Sequence, residues 1–328
     1  MLKSVTIGID IGGTKTALGL IDELGNCLSD DTFPTCAQED FNRFIANLSE
    51  RIEKLVVRFS HACRLAGIGV AAPNANYFHG TIETPSNFKW GRVEIVKQLQ
   101  KHFHVPVAIT NDAKAAALGE MIYGEAKGMR DFMVVTLGTG LGSGIVVNGE
   151  LLYGHDGHAG ELGHTIIEPR GRQCGCGREG CLEMYVSSRG LCRTVFEFLS
   201  SRRDDSKFRQ MSFSELTAKK VYEAAIAGDS LALDAFEYTG KILGCALANA
   251  AAYFSPQAII IFGGLANAGD LLLSPTQKNF EANLLNVYRG KIKIVLSRTP
   301  STPKGSAAVL GASVFIQKEF GKNRRQEI

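Results

Sequence analysis

Hydrophobic and polar residues alternate at the start of the chain, which predicts a β-strand with one buried face. The apolar residues are Val5, Ile7 and Ile9, and a second apolar run over 17–22, after a glycine-rich turn, predicts a returning strand. The period then changes from two to 3.6. Over 41–59 the apolar residues keep the spacing of an amphipathic helix, at positions 41, 44, 45, 48, 52, 55, 56 and 59.

Shorter apolar runs predict further buried strands, over 68–70, 107–109, 132–137, 258–262 and 292–296. Asn148-Gly149 separates two apolar runs and is a strong hairpin signal. Helices are predicted over 113–121, over most of 184–252 and over 306–320. Strands that alternate with helices place the chain in the α/β class rather than in the all-β class or among helical bundles.

Length and composition indicate how many domains to expect, and the net charge bears on the possible partners. A chain of 328 residues is long enough for about two domains, and 45% hydrophobic with 21% charged residues is typical of an ordinary globular protein. The formal net charge of +3 gives no reason to expect a nucleic acid or a membrane surface as partner. The first three residues lead directly into a strand, so no signal peptide is predicted.

The stretch 242–269 carries no formal charge and resembles a membrane span in that respect. A Ser-Pro pair at 255–256 and a Gly-Gly pair at 263–264 interrupt it, whereas a spanning helix needs about 20 unbroken apolar residues. We therefore expect a buried helix followed by a short strand, and no contact with a membrane.

Two glycine-rich turns follow predicted strands. The first is 10–16, Asp-Ile-Gly-Gly-Thr-Lys-Thr, and the second is 137–144, Leu-Gly-Thr-Gly-Leu-Gly-Ser-Gly. Glycine lets the backbone approach a ligand, and backbone N–H groups with the Thr14 hydroxyl can donate to phosphate oxygens. Asp10, at a strand end, is placed to bind a metal ion or its waters. Neither segment is a P-loop or a dinucleotide fingerprint, because a strand follows each. A tight hairpin explains either turn alone; the two together favour a nucleotide clamp.

A cluster of metal-ligating residues follows the second turn. The eight cysteines include five that are scattered and three within eight residues, Cys174, Cys176 and Cys181, with His164 shortly before them. Three thiolates and one imidazole are the ligand set of a closed tetrahedral Zn²⁺ site. The alternatives are reduced thiols or a redox pair, and Cys-x-Cys is poorly spaced for the latter. This distribution of cysteines predicts that the protein works in a reducing, cytoplasmic compartment and that it carries one metal site.

Asn111-Asp112 lies where a predicted buried strand ends and a helix begins. Asp112 is therefore a candidate helix N-cap. A carboxylate at the carboxyl end of a strand is also where α/β enzymes place reacting groups. With phosphate-binding turns elsewhere in the chain, Asp112 is equally a candidate acceptor of a hydroxyl proton during phosphoryl transfer.

Taken together, these motifs resemble the ROK family of sugar kinases and regulators over nearly the whole chain. The matching segments are 10–15, Gly138-Thr139-Gly140, Gly160-Glu161-Leu162-Gly163-His164 joined to 174–183, and Gly263-Gly264. The resemblance implies the actin-like ATPase fold, in which two ribonuclease-H-like domains flank a cleft. We expect a smaller domain over 1–116 plus about 305–328, and a larger domain over 117–304 that carries the zinc site.

The resemblance also implies roles for individual residues. Asp112 matches the catalytic base on a sugar 6-hydroxyl. Sugar contacts are implied for Asn87, Asn111, Asp112, Glu161, His164 and Glu183. Contacts with ATP and its phosphates are implied for Asp10, Gly12, Gly13, Thr14, Lys15, Gly138, Thr139, Gly140, Gly263 and Gly264. His164, Cys174, Cys176 and Cys181 would hold a structural Zn²⁺. The implied co-substrate is ATP with Mg²⁺, and the implied assembly is a homodimer.

One departure from the family pattern bears on the substrate. The segment 70–75 reads Val-Ala-Ala-Pro-Asn-Ala where relatives carry Pro-Gly-Pro, so Ala72 replaces a glycine near the sugar. The Cys-x-Cys motif differs from the His-rich zinc-binding pattern of the family's fructokinases. This favours an aldohexose as substrate, and glucose is the leading candidate.

The alternatives are a kinase for N-acetylglucosamine, N-acetylmannosamine or mannose, and a non-catalytic, sugar-responsive regulator. The family's regulators carry an N-terminal helix-turn-helix extension, and because the phosphate motif begins here at Asp10, we expect a kinase rather than a regulator.

Overall fold

Two five-stranded mixed sheets organise the chain in this computed structural model, which describes residues 2–84, 88–299 and 307–326. The strands of the first sheet are β1 Lys3–Ile11, β2 Lys15–Asp22, β3 Cys27–Pro34, β4 Cys63–Ala72 and β8 Val107–Asn111. A small sheet contains β5 Ala75–Asn76, β6 Thr81–Glu83 and β7 Arg92–Val93. The second large sheet contains β9 Phe132–Leu137, β10 Leu141–Val147, β11 Glu150–Leu151, β12 Ala258–Phe262 and β13 Lys293–Leu296. The helices are α1 Phe41–Phe59, α2 Ile95–His102, α3 Asp112–Tyr123, α4 Glu183–Val186, α5 Ser188–Ser201, α6 Ala218–Ile226, α7 Ser230–Phe254, α8 Asp270–Asn283 and α9 Ala307–Gln326.

The two large sheets have the same topology. Their strand orders are β3-β2-β1-β4-β8 and β11-β10-β9-β12-β13. In each sheet the first three strands are antiparallel neighbours, and the last three are parallel neighbours. The predicted α/β class is confirmed, and the repeat of one five-stranded unit agrees with the two ribonuclease-H-like halves expected for this chain. Each sheet has its own hydrophobic core.

The segments predicted from periodicity form the expected elements. The helix over 41–59 is confirmed with both ends, and the Asp40 side chain caps it by accepting hydrogen bonds from the next turn. The uncharged stretch 242–269 forms the end of α7, a turn, and the buried strand β12, as predicted. Among the helices of the described residues, none has the length and apolarity needed to cross a membrane.

Helices α3 and α9 pack on each other between the two sheets. Helix α9 also contacts β1 and β4, and α3 contacts β9 and β10. Backbone approaches backbone at these contacts, because a Cβ added at Gly69 would lie 1.8 Å from the Ala312 oxygen and one at Gly311 would lie 1.7 Å from the Ala115 oxygen. The predicted boundary at 116/117 falls inside α3, and the division into domains stays a prediction.

The close contact at Gly311 and the helix propensity of alanine predict opposite effects of Gly311→Ala on the free energy of unfolding. Alanine is about 1 kcal/mol better than glycine in an open helix, so helix propensity alone would make Gly311→Ala stabilising. We expect instead that Gly311→Ala lowers the free energy of unfolding by about 1–3 kcal/mol, because α3 and α9 must separate. Urea denaturation of the two proteins measures this, and a stabilised variant would contradict the packing described for α9.

Candidate active site

Two carboxylates lie at one edge of the first sheet. Strands β1, β4 and β8 run parallel, and Asp10 is paired with Ala71 while Ala72 is paired with Asn111. The carboxyl ends of the three strands therefore meet at one edge, which brings Asp10 near the start of α3 and Asp112. This edge is the usual position of ligand sites in α/β sheets.

Helix α3 begins with two polar residues that do different work. Asn111 has extended backbone geometry, and its Oδ1 accepts hydrogen bonds from the backbone nitrogens of Ala113 at 2.9 Å and Lys114 at 3.3 Å. Asn111 is therefore the N-cap, and the alternative in which Asp112 caps the helix is wrong. Asp112 is the first helical residue and is half-buried. Because capping uses Asn111 Oδ1, its amide nitrogen is the group left for a ligand.

The carboxylates of this edge perturb one another. Burial raises the pKa of Asp112, and the charge of Glu161 raises it further. Burial also raises the pKa of Asp10 to about 7, with a further contribution from Asp112, while Lys15 opposes the shift. A strongly perturbed carboxyl group at a strand end is a candidate for acid–base chemistry.

The first glycine turn joins β1 to the antiparallel strand β2, and the predicted returning strand is confirmed. The Gly12 nitrogen donates to the Lys15 oxygen at 3.0 Å, and the Thr35 hydroxyl donates to the Gly12 oxygen at 2.7 Å. These bonds use groups at the base of the turn. Gly13, Thr14 and Lys15 are exposed at its tip, where they are accessible to a ligand.

The second glycine turn joins β9 to β10. Its Gly138 nitrogen donates to the Gly140 oxygen at 3.0 Å. Glu183 lies directly against this turn: one of its oxygens accepts a hydrogen bond of 2.9 Å from the Leu141 nitrogen and would lie 2.3 Å from a Cβ at Gly140. A side chain at position 140 would therefore displace the Glu183 carboxylate from this position, whereas a Cβ at Gly138 would meet nothing within 4 Å.

The glycine pair at 263–264 lies at the same sheet edge as the second turn. Strand β12 is parallel to β9, and Phe262 is paired with Thr136. Gly263 has a φ of 108°, and a Cβ there would lie 2.5 Å from the Leu137 oxygen. A Cβ at Gly264 would meet nothing within 4 Å, so its side of the backbone is open.

Two further glycines, Gly142 and Gly144, have a structural role that the sequence analysis missed. Added Cβ atoms would lie 2.9 Å from the Ala113 Cβ and 2.6 Å from the Ala113 oxygen respectively. These glycines of β10 let the first turn of α3 lie against the strand, which brings Asp112 beside the second sheet. The available signal was the alternation of glycine through the run 137–144, which continues beyond the phosphate motif Gly138-Thr139-Gly140.

The predicted metal ligands form a compact group. One donor atom from each of His164, Cys174, Cys176 and Cys181 lies within 4.8 Å of the others. Cys176 Sγ lies 3.6 Å from Cys181 Sγ, and Cys174 Sγ lies 3.8 Å from His164 Nδ1. A tetrahedral Zn²⁺ with Zn–S distances of about 2.3 Å separates its sulfur ligands by roughly 3.8 Å. The donor set and its spacing therefore fit Zn²⁺.

The segment that carries these cysteines is held by its own backbone. The Cys174 nitrogen donates to the Arg178 oxygen at 2.9 Å, and the Gly180 nitrogen donates to the Arg172 oxygen at 2.8 Å. Gly180 has a φ of 75°, and a Cβ there would lie 1.8 Å from the Glu168 oxygen. These contacts fix the direction of the cysteine side chains.

The candidate sugar contacts lie next to this cluster. Cys174 Sγ is 3.8 Å from Glu183 Oε1 as well as from His164 Nδ1. Glu161 directly precedes the short 3₁₀ turn 162–164 that ends at His164, and its carboxylate is exposed. Cys174 therefore lies against both His164 and Glu183. The His164 nitrogen donates to the Glu161 oxygen at 3.1 Å, and the charge of Glu161 raises the pKa of Asp112. Asn87 lies outside the described residues.

Comparisons with known proteins agree with this arrangement. The model of the ROK family matches residues 6–319. A glucokinase of Halalkalibacterium halodurans is 36% identical over 85% of this chain and 86% of its own length. A xylose repressor of Caldicellulosiruptor bescii is 30% identical over 94% of this chain and 77% of the repressor.

A solved structure extends the likeness to three dimensions. It is a ROK family glucokinase of Streptomyces griseus in complex with glucose and AMPPNP, 31% identical, with a TM-score of 0.78 over 96% of this chain and 99% of that chain. The family model, the paired sheets with their glycine turns, and the Cys₃His cluster therefore lead to one conclusion: this chain belongs to the ROK family.

Proposed function

We propose that this chain is an ATP-dependent sugar kinase that phosphorylates glucose at its 6-hydroxyl. Glucokinases at 31–36% identity over most of the chain support glucose as substrate. The observation that carries the proposal is the position of Asp112. It is a half-buried carboxylate with a raised pKa at the start of α3, and Glu161 lies close to it.

Asp112 would act as the general base. The 6-hydroxyl of the sugar gives its proton to the Asp112 carboxylate, its oxygen bonds to the γ-phosphorus of ATP, and the bond from that phosphorus to the β-phosphate oxygen breaks to release ADP. A base whose pKa approaches the working pH transfers protons more effectively than an ordinary carboxylate. Glu161, His164 and Glu183 would bind other hydroxyls of the sugar and so direct the 6-hydroxyl towards Asp112.

The glycine turns would hold the nucleotide. Open backbone at Gly138 and Gly264 and the exposed tip at Gly13-Thr14 leave room for phosphates and ribose near both sheet edges. Asp10 offers a carboxylate oxygen, the ligand type that Mg²⁺ prefers. Bound with ATP, Mg²⁺ would neutralise phosphate charge during transfer.

We infer that the Cys₃His cluster holds a structural Zn²⁺. Four protein ligands complete a tetrahedron and leave no open position for catalysis. The ion would instead fix His164 and, through Cys174, the neighbourhood of Glu183. No disulfide joins the cysteines of the described residues, which supports action in a reducing, cytoplasmic compartment. The assembly that we propose is a homodimer, as the family resemblance implies.

The second candidate is a sugar-responsive regulator, because a xylose repressor is 30% identical to this chain. A regulator needs the sugar site but neither a general base nor a phosphate clamp. Asp10, Asp112 and both glycine turns are present here, which favours the kinase. Within the kinases, N-acetylglucosamine, N-acetylmannosamine and mannose are the alternative substrates.

The first prediction concerns the substrate. Purified protein with ATP and Mg²⁺ should release ADP when given glucose, with a higher kcat/KM than for mannose or either N-acetylated sugar. No ADP should form with 6-deoxyglucose, which lacks the accepting hydroxyl. A coupled ADP assay over this panel measures both. Turnover of 6-deoxyglucose would exclude the 6-hydroxyl, and absence of turnover with every sugar would favour the regulator.

The second prediction separates base from structural residue. Asp112→Asn cannot take the proton, so kcat should fall by about 10²–10⁴-fold, while glucose affinity changes far less. Folding raises the pKa of Asp112, so ionising this group at neutral pH weakens the folded state. The free energy of unfolding at pH 7 should therefore not fall in Asp112→Asn.

The matched control is the neighbouring cap. Asn111→Ala removes the hydrogen bonds to the first turn of α3 and should lower the free energy of unfolding by about 1 kcal/mol. Steady-state kinetics, glucose titration and urea denaturation of both variants test the assignment. Near-native turnover in Asp112→Asn would refute the assignment of Asp112 as the general base.

The third prediction concerns zinc. The native protein should contain about one Zn²⁺ per chain, and Cys181→Ser should lower both the zinc content and the melting temperature, because metal binding contributes folding free energy. Cys192→Ser is the control, since Cys192 is also buried but lies outside the cluster. Elemental analysis that finds no stoichiometric zinc in the native protein would contradict the proposal.

A further inference from the structure

A buried lysine follows Asp112 in the first turn of α3. Lys114 is only 2% exposed, and its Nζ donates a hydrogen bond of 3.0 Å to the backbone oxygen of Gly157. Its ammonium also lies over the Tyr153 ring, 5.5 Å from the centroid. Lysine is almost never fully buried unless it is paired, so this placement calls for partners. The chemistry proposed above uses Asp112 and leaves Lys114 without a role.

The hydrogen bond reaches a loop that carries a candidate sugar contact. Residues 154–160 connect the hairpin of the second sheet to Glu161, and none of them lies in a helix or strand. Lys114 holds this loop at Gly157. Asn76, in β5 of the small sheet and 3% exposed, holds the same loop, because its Nδ2 donates to the Asp156 oxygen at 3.0 Å. The position of Glu161 therefore depends on anchors outside its own loop.

The charge of Lys114 faces the carboxylates of the site. Burial lowers the pKa of Lys114, while Glu161, Asp112 and Asp156 act in the opposite direction and favour the ammonium form. Reciprocally, Lys114 lowers the pKa of Asp112, against burial and the charge of Glu161, which both raise it. Asp10 is the other carboxylate coupled to Asp112. Lys114 is thus the cation on the same helix turn as the proposed base.

We propose that Lys114 is a positioning residue for phosphoryl transfer: its hydrogen bond to Gly157 fixes the loop that presents Glu161 to the sugar, and its ammonium stabilises the carboxylate form of Asp112. The inference rests on the proposed function, because it assigns Lys114 to the base and the sugar contact of that reaction. The two effects have different signatures. Loss of the anchor raises the KM for the sugar, and loss of the charge moves the pH dependence.

The test compares Lys114→Met with a matched control. Methionine keeps an unbranched apolar stem and removes both the donor and the charge. Lys318→Met is the control, because Lys318 Nζ also donates to a backbone oxygen of the second sheet's hairpin, that of Gly149 at 3.1 Å, and its nearby carboxylate is Glu150 rather than a site residue. Kinetics with glucose and ATP from pH 5 to 9 are measured for the native protein and both variants.

We expect Lys114→Met to raise the KM for glucose about tenfold or more, since a hydrogen bond from a charged donor contributes about 1.5–3 kcal/mol. The KM for ATP should stay within about twofold. The acidic limb of kcat/KM for glucose should move to higher pH, because Asp112 without the neighbouring cation holds its proton more tightly. Activity lost at pH 6 should therefore recover partly at pH 8. Lys318→Met should match the native protein in all three readouts.

If Lys114 only stabilises the fold, Lys114→Met should lower the melting temperature and leave the KM for glucose and the acidic limb of kcat/KM unchanged. That outcome would overturn the inference. If Lys114→Met does not fold, Lys114→Gln is measured with the same readouts. Glutamine keeps a polar amide but removes the charge, so the acidic limb of kcat/KM for glucose must still move to higher pH. If the native protein itself does not phosphorylate glucose, the proposed function fails and the inference about Lys114 fails with it; an active native protein with unchanged readouts in Lys114→Met overturns the inference alone.

Discussion

The site depends on keeping several carboxylates close together in a partly buried place. Asp10 and Asp112 lie at the edge of one sheet, and Glu161 approaches from the loop beside the other. Taking a charge out of water and placing it near like charges weakens the folded state, so the pKa values of Asp10 and Asp112 rise. The structure offsets this with Lys15 and Lys114, and with the backbone nitrogens at the start of α3. The same penalty is useful chemically, because it makes a carboxylate a better proton acceptor.

Glycines at the contacts between elements let backbones pack closely, and this brings the carboxylates of the site together. Gly142 and Gly144 let the first turn of α3 lie against β10, and Gly311 lets α9 lie against α3. The glycines of one run therefore serve two purposes: those at the turn leave space for a ligand and for Glu183, and those in the strand admit a helix. The Cys₃His cluster acts on the other side of the site, where Cys174 lies equally close to His164 and Glu183.

Much of this was predictable because it is encoded locally. The helix over 41–59 follows from one apolar period and a cap residue, and the metal cluster follows from ligand types and short spacing. Whether Asn111 or Asp112 caps α3 could not be predicted, because both are good caps and the choice depends on which one keeps extended backbone geometry. The contacts of Gly142 and the burial of Lys114 also needed the structure, because their partners are distant in sequence or lie on another element.

The fold holds Asp112 as a carboxylate whose proton affinity is raised by its surroundings. An infrared titration measures this directly, by recording the carboxyl band of the native protein as pH changes and subtracting the titration of Asp112→Asn. The difference should contain one carboxyl group whose midpoint lies above the ordinary aspartate value of about 3.9. A midpoint at or below that value would contradict the account.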